Sequence, residues 1–341
     1  MANSSLIPHP SSLIPHPSFL SIRHSAFTLI ELLATITIIS ILAAISLGAL
    51  HYARQSTAEG KTKATIAKLN ALVMQRYESY ATRRVPIDLS SLIASKTITV
   101  KQAAQYRYLA LLDLMRMEMP ERTYDISNGP LGIFQPTNPW TARPALSQMY
   151  LQKYNNSAPV DNCCPAKYLY MWISMAYPEA MSQFGENEIK DLDGDHWPVF
   201  VDGWGNPIMF LRWAPGFLPP DSEIQSGDPV NDHDPFDSRR TCPANYRLIP
   251  LVYSAGPDQA GHDVNNDPKF GIIRGGMINN KDITNYYSVD PTINTLDELN
   301  PYFKIPTANG DKLIGSVTDT TDPDPGKNHF DNIHNHRIEQ Q

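Results

Sequence analysis

The side chain in the most demanding setting is Glu31. It is the one ionisable group in residues 27–50, FTLIELLATITIISILAAISLGAL, a run without Pro, Lys or Arg. An acid at such a depth in a bilayer costs about 2.5 to 3.5 kcal/mol on insertion scales, so it is a candidate functional group in need of a partner. On this reading Glu31 has none in its own helix. A second candidate is the alternation Asp191, Asp193, Asp195 in DLDGD. It gathers hard oxygens in one short turn, as Ca²⁺ prefers, without the spacing or terminal Glu of an EF-hand, and an ion-free surface turn is the alternative. Three cysteines occur, the vicinal Cys163 and Cys164 and the distant Cys242. Outside the cytoplasmic membrane a disulfide from Cys242 to Cys164 or Cys163 is permitted, with three free thiols as the alternative. The cysteines lack the second CxxC or the spaced His of a zinc site. His329, His334 and His336 fall in a polar tail, where solvated sequence is the simpler reading than a metal site. The segment from Val252 to Gly256 (VYSAG) is an incomplete GxSxG without the first Gly or a strand-turn-helix frame, so hydrolytic chemistry finds little support.

The element that must carry Glu31 is a helix. Residues 27–50 are long enough to cross about 30 Å of hydrocarbon at about 1.5 Å per residue. No Pro occurs between Ser18 and Val85, and beyond residue 50 the apolar positions Ile66, Leu69, Val73, Tyr77 and Tyr80 recur three or four apart. That spacing predicts one amphipathic helix continuing out of the membrane to about residue 84, with Gly48 and Gly60 as soft points and its stripe packed on a following domain. Val85-Pro86 stops it. Short helices are expected near 101–118, 145–154 and 165–184. Strands are expected at PVFV from Pro198, at 207–213 and at 246–254, forming a small antiparallel sheet with a Pro/Asp-rich loop at 214–245. The expected class is α+β: a long N-terminal helix on a small antiparallel sheet with additional short helices.

The junction Arg23-His24-Ser25-Ala26-Phe27-Thr28-Leu29-Ile30-Glu31 resembles the N-terminus of type IV pilins and of the pseudopilins of type II secretion systems. The resemblance implies a pilin-like fold and cleavage between Ala26 and Phe27 by a prepilin peptidase, followed by methylation of the new amine. It also implies that Glu31 meets the N-terminal ammonium of a neighbouring subunit in a filament. Ala26 stands where the family nearly always has Gly. VDGWGNPI at 201–208 is similar to the D-x-WGxP segment of major pseudopilins. YSAGPD at 253–258, with KDITNY at 281–286, is similar to their Ca²⁺ loop. By that resemblance Ser254, Asp258 and Asp282 are calcium ligands, with Asp263 and Asp267 of a long insertion as competitors.

Composition supports a membrane element plus one sizeable domain: 42% of the 341 residues are hydrophobic and 18% charged. The net charge of -7 argues against nucleic acid as a partner, since phosphate binding needs a basic surface. Residues 1–26 repeat SSLIPHP and lack the basic start and apolar core of a secretory signal. They read as a leader, followed by the helix at 27–84, a periplasmic globular domain at 85–315 and a flexible tail at 316–341. The expected function is that of a structural filament subunit anchored in the inner membrane, not an enzyme, supporting protein secretion through self-assembly with other pilin-like subunits. The alternative is a display module that binds a secreted substrate or carbohydrate, with Trp172, Trp197, Trp204 and Trp213 as contacts.

Overall fold

The structure is a computed structural model describing residues 28–131, 140–160, 164–257, 272, 277–278, 281–282, 301–302, 304–307, 310–317 and 332–337. The chain divides into two units, Met1–Tyr52 and Ala53–Gln341. Helix α1, Leu29–Ser79, contributes to both and passes through Gly48 and Gly60 without interruption. In the first unit its large apolar side chains, from Leu29 to Leu50, are exposed. That is the surface of a segment meant for lipid or for another apolar helix, because water penalises each such side chain by about 1.5 to 3 kcal/mol relative to burial. The helix proper ends sooner than the expected residue 84. The N–H groups of Tyr80, Ala81 and Arg83 bond back three residues, tightening the last turn ahead of Val85-Pro86.

In the second unit α1 buries Ile66, Leu69, Val73 and Tyr77, and Tyr80 extends this buried stripe into the turn that follows, as expected from the spacing. Around it lie α2, Ser90–Ala94; α3, Val100–Glu118; α4, Thr123–Ser127; α5, Ala145–Asn156; and α6, Cys164–Ala176. Helix α3 starts at a capping box, with Thr99 and Gln102 each accepting the other's backbone N–H at 3.2 and 2.8 Å. Helix α6 stops at Ala176 instead of running to 184, because Pro178 cannot continue it, and a 3₁₀ turn, Pro178–Gln183, follows.

Strands β1, Ile189–Lys190, and β2, Val199–Phe200, form a two-stranded ribbon; β3, Met209–Leu211, pairs with β4, Leu251–Ser254. Their register shows why the sheet is buried on both faces. Phe210 opposite Val252 joins the core around α1, while Met209 opposite Tyr253 and Leu211 opposite Leu251 join a second cluster with Phe217 and Ile314. The remaining strands are β5, Met277–Ile278; β6, Lys281–Asp282; β7, Lys304–Thr307; β8, Gly310–Leu313; and β9, Ile333–His334. β5 pairs with β6 and β7 with β8.

Within the expected flexible tail of 316–341, the described residues 332–337 depart from that expectation through strand β9. It is the third strand of the main sheet, with Ile333 opposite Ser254 and His334 opposite Tyr253. Asn335 then accepts the Val252 N–H at 2.8 Å and donates to Asn70 of α1 at 2.8 Å and to the Pro250 carbonyl at 2.9 Å. Polar composition suggested solvent, but here the polar atoms substitute for solvent at a sheet edge, satisfying backbone groups that would otherwise be buried unpaired. His334 and His336 are accordingly buried against Phe217, and His336 Nδ1 shares a hydrogen bond with Ser222 Oγ at 2.8 Å.

Candidate assembly helix and its docking turn

Glu31 has a partner after all, supplied by its own helix. Thr28 donates both its N–H and its hydroxyl to Glu31 Oε2 at 2.9 Å, and Thr28 Oγ1 accepts the Glu31 N–H at 3.3 Å. This is a T-x-x-E capping box at the start of α1, a pattern written in the sequence itself. The box uses one carboxylate oxygen. Among the described residues Glu31 Oε1 takes no donor, and it stands on an exposed face. A helix N-terminus also favours negative charge through its aligned backbone dipoles. The carboxylate is therefore held in place and half satisfied, with an acceptor left for a second molecule. Ala26 and Phe27 lie outside the described residues.

The VDGWGNPI segment forms a tight turn that meets α1. Asp202 Oδ1 accepts the N–H groups of Trp204 and Asn206 at 2.9 and 2.8 Å, and Asp202 Oδ2 accepts the Ser254 hydroxyl at 2.6 Å. Asn206 Nδ2 donates to the Gly256 carbonyl at 3.3 Å. Burial pushes the Asp202 carboxyl above its ordinary value, opposed by the hydrogen bonds from Ser254, Asn206 and Trp204. The turn touches the helix through Gly203, whose N–H donates to Thr62 Oγ1 at 2.9 Å. A Cβ at Gly203 would lie 2.1 Å from the Ala58 carbonyl oxygen, so the glycine is required by backbone-to-helix approach. The two segments that resemble major pseudopilins are thus joined to each other and, through Gly203, to α1.

These contacts bear on the expected calcium ligands. Ser254 is fully buried, its hydroxyl donating to Asp202 at 2.6 Å and its oxygen accepting the Gly256 N–H at 3.0 Å. Asp258, Asp263 and Asp267 lie outside the described residues, as does the side chain of Asp282. In DLDGD the carboxylates of Asp191, Asp193 and Asp195 do converge, within 4.8 Å of one another. They converge on an internal cation: Lys167 Nζ of α6 lies 2.6 Å from Asp193 Oδ2 and 2.6 Å from Asp195 Oδ2. Burial raises the Asp195 carboxyl, but Lys167 and the N–H groups of Val160 and Trp197 outweigh it and hold the carboxyl below its usual range. Asp191 is occupied with the N–H groups of Gly194 and His196, each at 2.9 Å. A calcium ion seeking six to eight oxygens would have to displace a buried ammonium, so this set does not fit it.

Cys242 is a half-buried thiol in the second unit. Its backbone N–H is tied to Asp237 Oδ2 at 2.7 Å and its side chain packs on the main core, which holds it in the 237–242 loop. Burial pushes its thiol up. The side chains of Cys163 and Cys164 lie outside the described residues. Trp172, Trp197 and Trp213 are core residues, leaving only Trp204 of the four expected contacts half-exposed.

Sequence signals miss one further group. Glu118, buried at the end of α3, takes Arg76 and Arg83 at 2.7 and 2.5 Å and the Tyr80 hydroxyl at 2.9 Å, clamping the last turns of α1.

Residues 22–47 match the family described as the prokaryotic N-terminal methylation motif. No curated protein and no solved structure matches the chain significantly.

Proposed function

We propose that this type IV pilin-like protein, with its methylation motif at residues 22–47 and long apolar N-terminal helix, is a structural subunit of a secretion pseudopilus or a related pilus-like filament. Prepilin peptidase cuts between Ala26 and Phe27. The new chain sits as a single-pass inner-membrane protein with its second unit in the periplasm, then assembles with other pilin-like subunits through α1. One observation carries the reading: Glu31 stands in an exposed apolar helix with Oε2 held by Thr28 and Oε1 open. An acceptor left open in hydrocarbon is costly in a monomer and useful opposite a neighbour's ammonium. The linked VDGWGNPI and YSAGPD segments favour a pseudopilus over a surface pilus, and with it a role in protein secretion. No enzymatic step forms part of this reading.

Mass spectrometry of the membrane-extracted protein tests it. The expected mature chain begins at Phe27 with a methylated amine, and a mature protein retaining Arg23 and His24 would remove the basis for assembly. Calcium enters the proposal only at the loop between Ser254 and Asp282, with Asp258, Asp263, Asp267 and Asp282 as carboxylate donors beside Ser254, whose hydroxyl proton is held by Asp202. The display alternative has lost three of its four tryptophans to the core. It predicts a chain that stays monomeric in the membrane, whereas a filament subunit cross-links to copies of itself through α1.

A further inference from the structure

A cleft of about 760 Å³ opens in the second unit beside the C-terminal end of α1, bounded by the chain after Tyr80, by α2 and α3, and by the loop at 236–239. That volume falls within the roughly 300–1,000 Å³ of ordinary ligand pockets. Its charge is unusual for a chain of net charge -7. Arg84, Arg107 and Arg239 line it, all three exposed, and none enters a hydrogen bond or ion pair among the described residues. The other ionic groups there are already engaged. Arg83 is held by Glu118, Asp88 accepts from Ser90, and Asp237 accepts from Thr241 and Cys242. Asp88 and Asp237 keep their negative charge, but the three guanidinium groups outside any ion pair outnumber them in this one concavity and leave an excess of positive charge for an anion.

The lining narrows the class of anion. Guanidinium forks match carboxylates in pairs of parallel hydrogen bonds. Between the arginines the surface is aliphatic, with Val85, Ile87 and Leu111, which asks for hydrocarbon next to the acid. An acidic sugar would need several free hydroxyl partners, and among the described residues only Ser238 of the cleft's hydroxyls is without a hydrogen bond, the Ser90 hydroxyl being bonded to Asp88. Tyr108 Oη donates to Asp234 at 2.7 Å and accepts from Asn245 at 2.8 Å, while Tyr80 Oη donates to Glu118. We propose that this cleft binds an acidic, partly aliphatic peptide segment of a partner protein, its carboxylates on Arg84, Arg107 and Arg239 and its side chains on Val85, Ile87 and Leu111. The site stands whether or not the chain polymerises.

The experiment is fluorescence anisotropy of the full chain in detergent micelles with a labelled short peptide of alternating Glu and Leu. The same peptide with Gln for Glu is the control, and unlabelled peptide, oligogalacturonate and inorganic phosphate are competitors. The Glu/Leu peptide is expected to bind and to weaken as salt rises. Arg84→Gln, Arg107→Gln and Arg239→Gln should each weaken it about tenfold, the scale of one charge-assisted contact, without lowering the melting temperature, since these side chains hold nothing in the fold. Equal affinity for the Gln peptide, or undiminished binding in the triple variant, overturns the site. Displacement by oligogalacturonate or phosphate at lower concentration than by the unlabelled peptide overturns the peptide assignment.

Discussion

Replacing Gly203 by Ala tests whether the 202–206 turn is docked on α1 as the structure describes. The added methyl would sit 2.1 Å from the Ala58 carbonyl oxygen and 2.5 Å from both the carbonyl carbon and Cα of Ala58. These are backbone atoms of a helix and cannot swing aside, so the turn must retreat by about 1 Å or more to reach ordinary contact distance. Gly203 is not among the positive-φ glycines, and the penalty is therefore one of space and not of backbone strain. Retreat also breaks the 2.9 Å bond from the Gly203 N–H to the buried Thr62 hydroxyl. Overpacking costs about 1–3 kcal/mol and the hydrogen bond about 1 kcal/mol, so Gly203→Ala should lose roughly 2–4 kcal/mol. For a domain of this size that lowers Tm by roughly 4–16 °C. Thermal unfolding of the full chain in detergent, followed by circular dichroism, measures it. Gly60→Ala is the control: it lies on the same helix with nothing within 4 Å of the added Cβ, and should gain up to about 1 kcal/mol from helix propensity. A Gly203→Ala protein melting within about 1 °C of the parent, or a Gly60→Ala protein losing as much, would refute the docking.

Four other outcomes follow from the same contacts. Glu31→Ala should leave membrane insertion intact and reduce the yield of helix-to-helix cross-links, and an unchanged yield would count against intersubunit pairing. Lys167→Met strands Asp193 and Asp195 beside each other and should cost about 3 kcal/mol at pH 7, the low end for a broken buried pair because Asp193 keeps some contact with water. The Asp195 pKa is depressed in the fold, so this contribution is present above the ordinary carboxylate range and lost as pH falls; the melting curves of parent and variant should converge below about pH 4. His336 is lowered by burial from 6.5 to about 4, so stability should fall as pH drops through that window, by at most about 3 kcal/mol, and His336→Asn should flatten the dependence. Calcium at a hundred times its dissociation constant should stabilise the chain by about 2.7 kcal/mol relative to chelator; Asp258→Ala should abolish the shift and Asp193→Ala should not, and coincident curves for the parent would remove the loop site.

The features legible in the sequence are those whose physics is local. An apolar run long enough to span a bilayer, a stripe at helical spacing from Ile66 to Tyr80 and a proline after Val85 each state their consequence within a few turns of chain. The capping box of Thr28 and Glu31 belongs with them, since its whole geometry lies within four residues. The tertiary structure alone decided how polar residues are paired. Ser254 and Asp202 lie 52 positions apart, and nothing near either one shows that the hydroxyl of one donates to the carboxylate of the other. Lys167 lies 28 positions from Asp195, and only the fold turns an acidic loop into a neutralised cluster. The tail misled for the same reason: Asn332, His334 and His336 look like solvated sequence, and composition cannot tell a polar group that faces water from one that replaces water at a sheet edge. Burial of apolar surface is nearly indifferent to which apolar neighbour provides it, so spacing suffices to place the core. A buried polar atom needs one partner at one distance and angle, and that partner is chosen by the path of the whole chain.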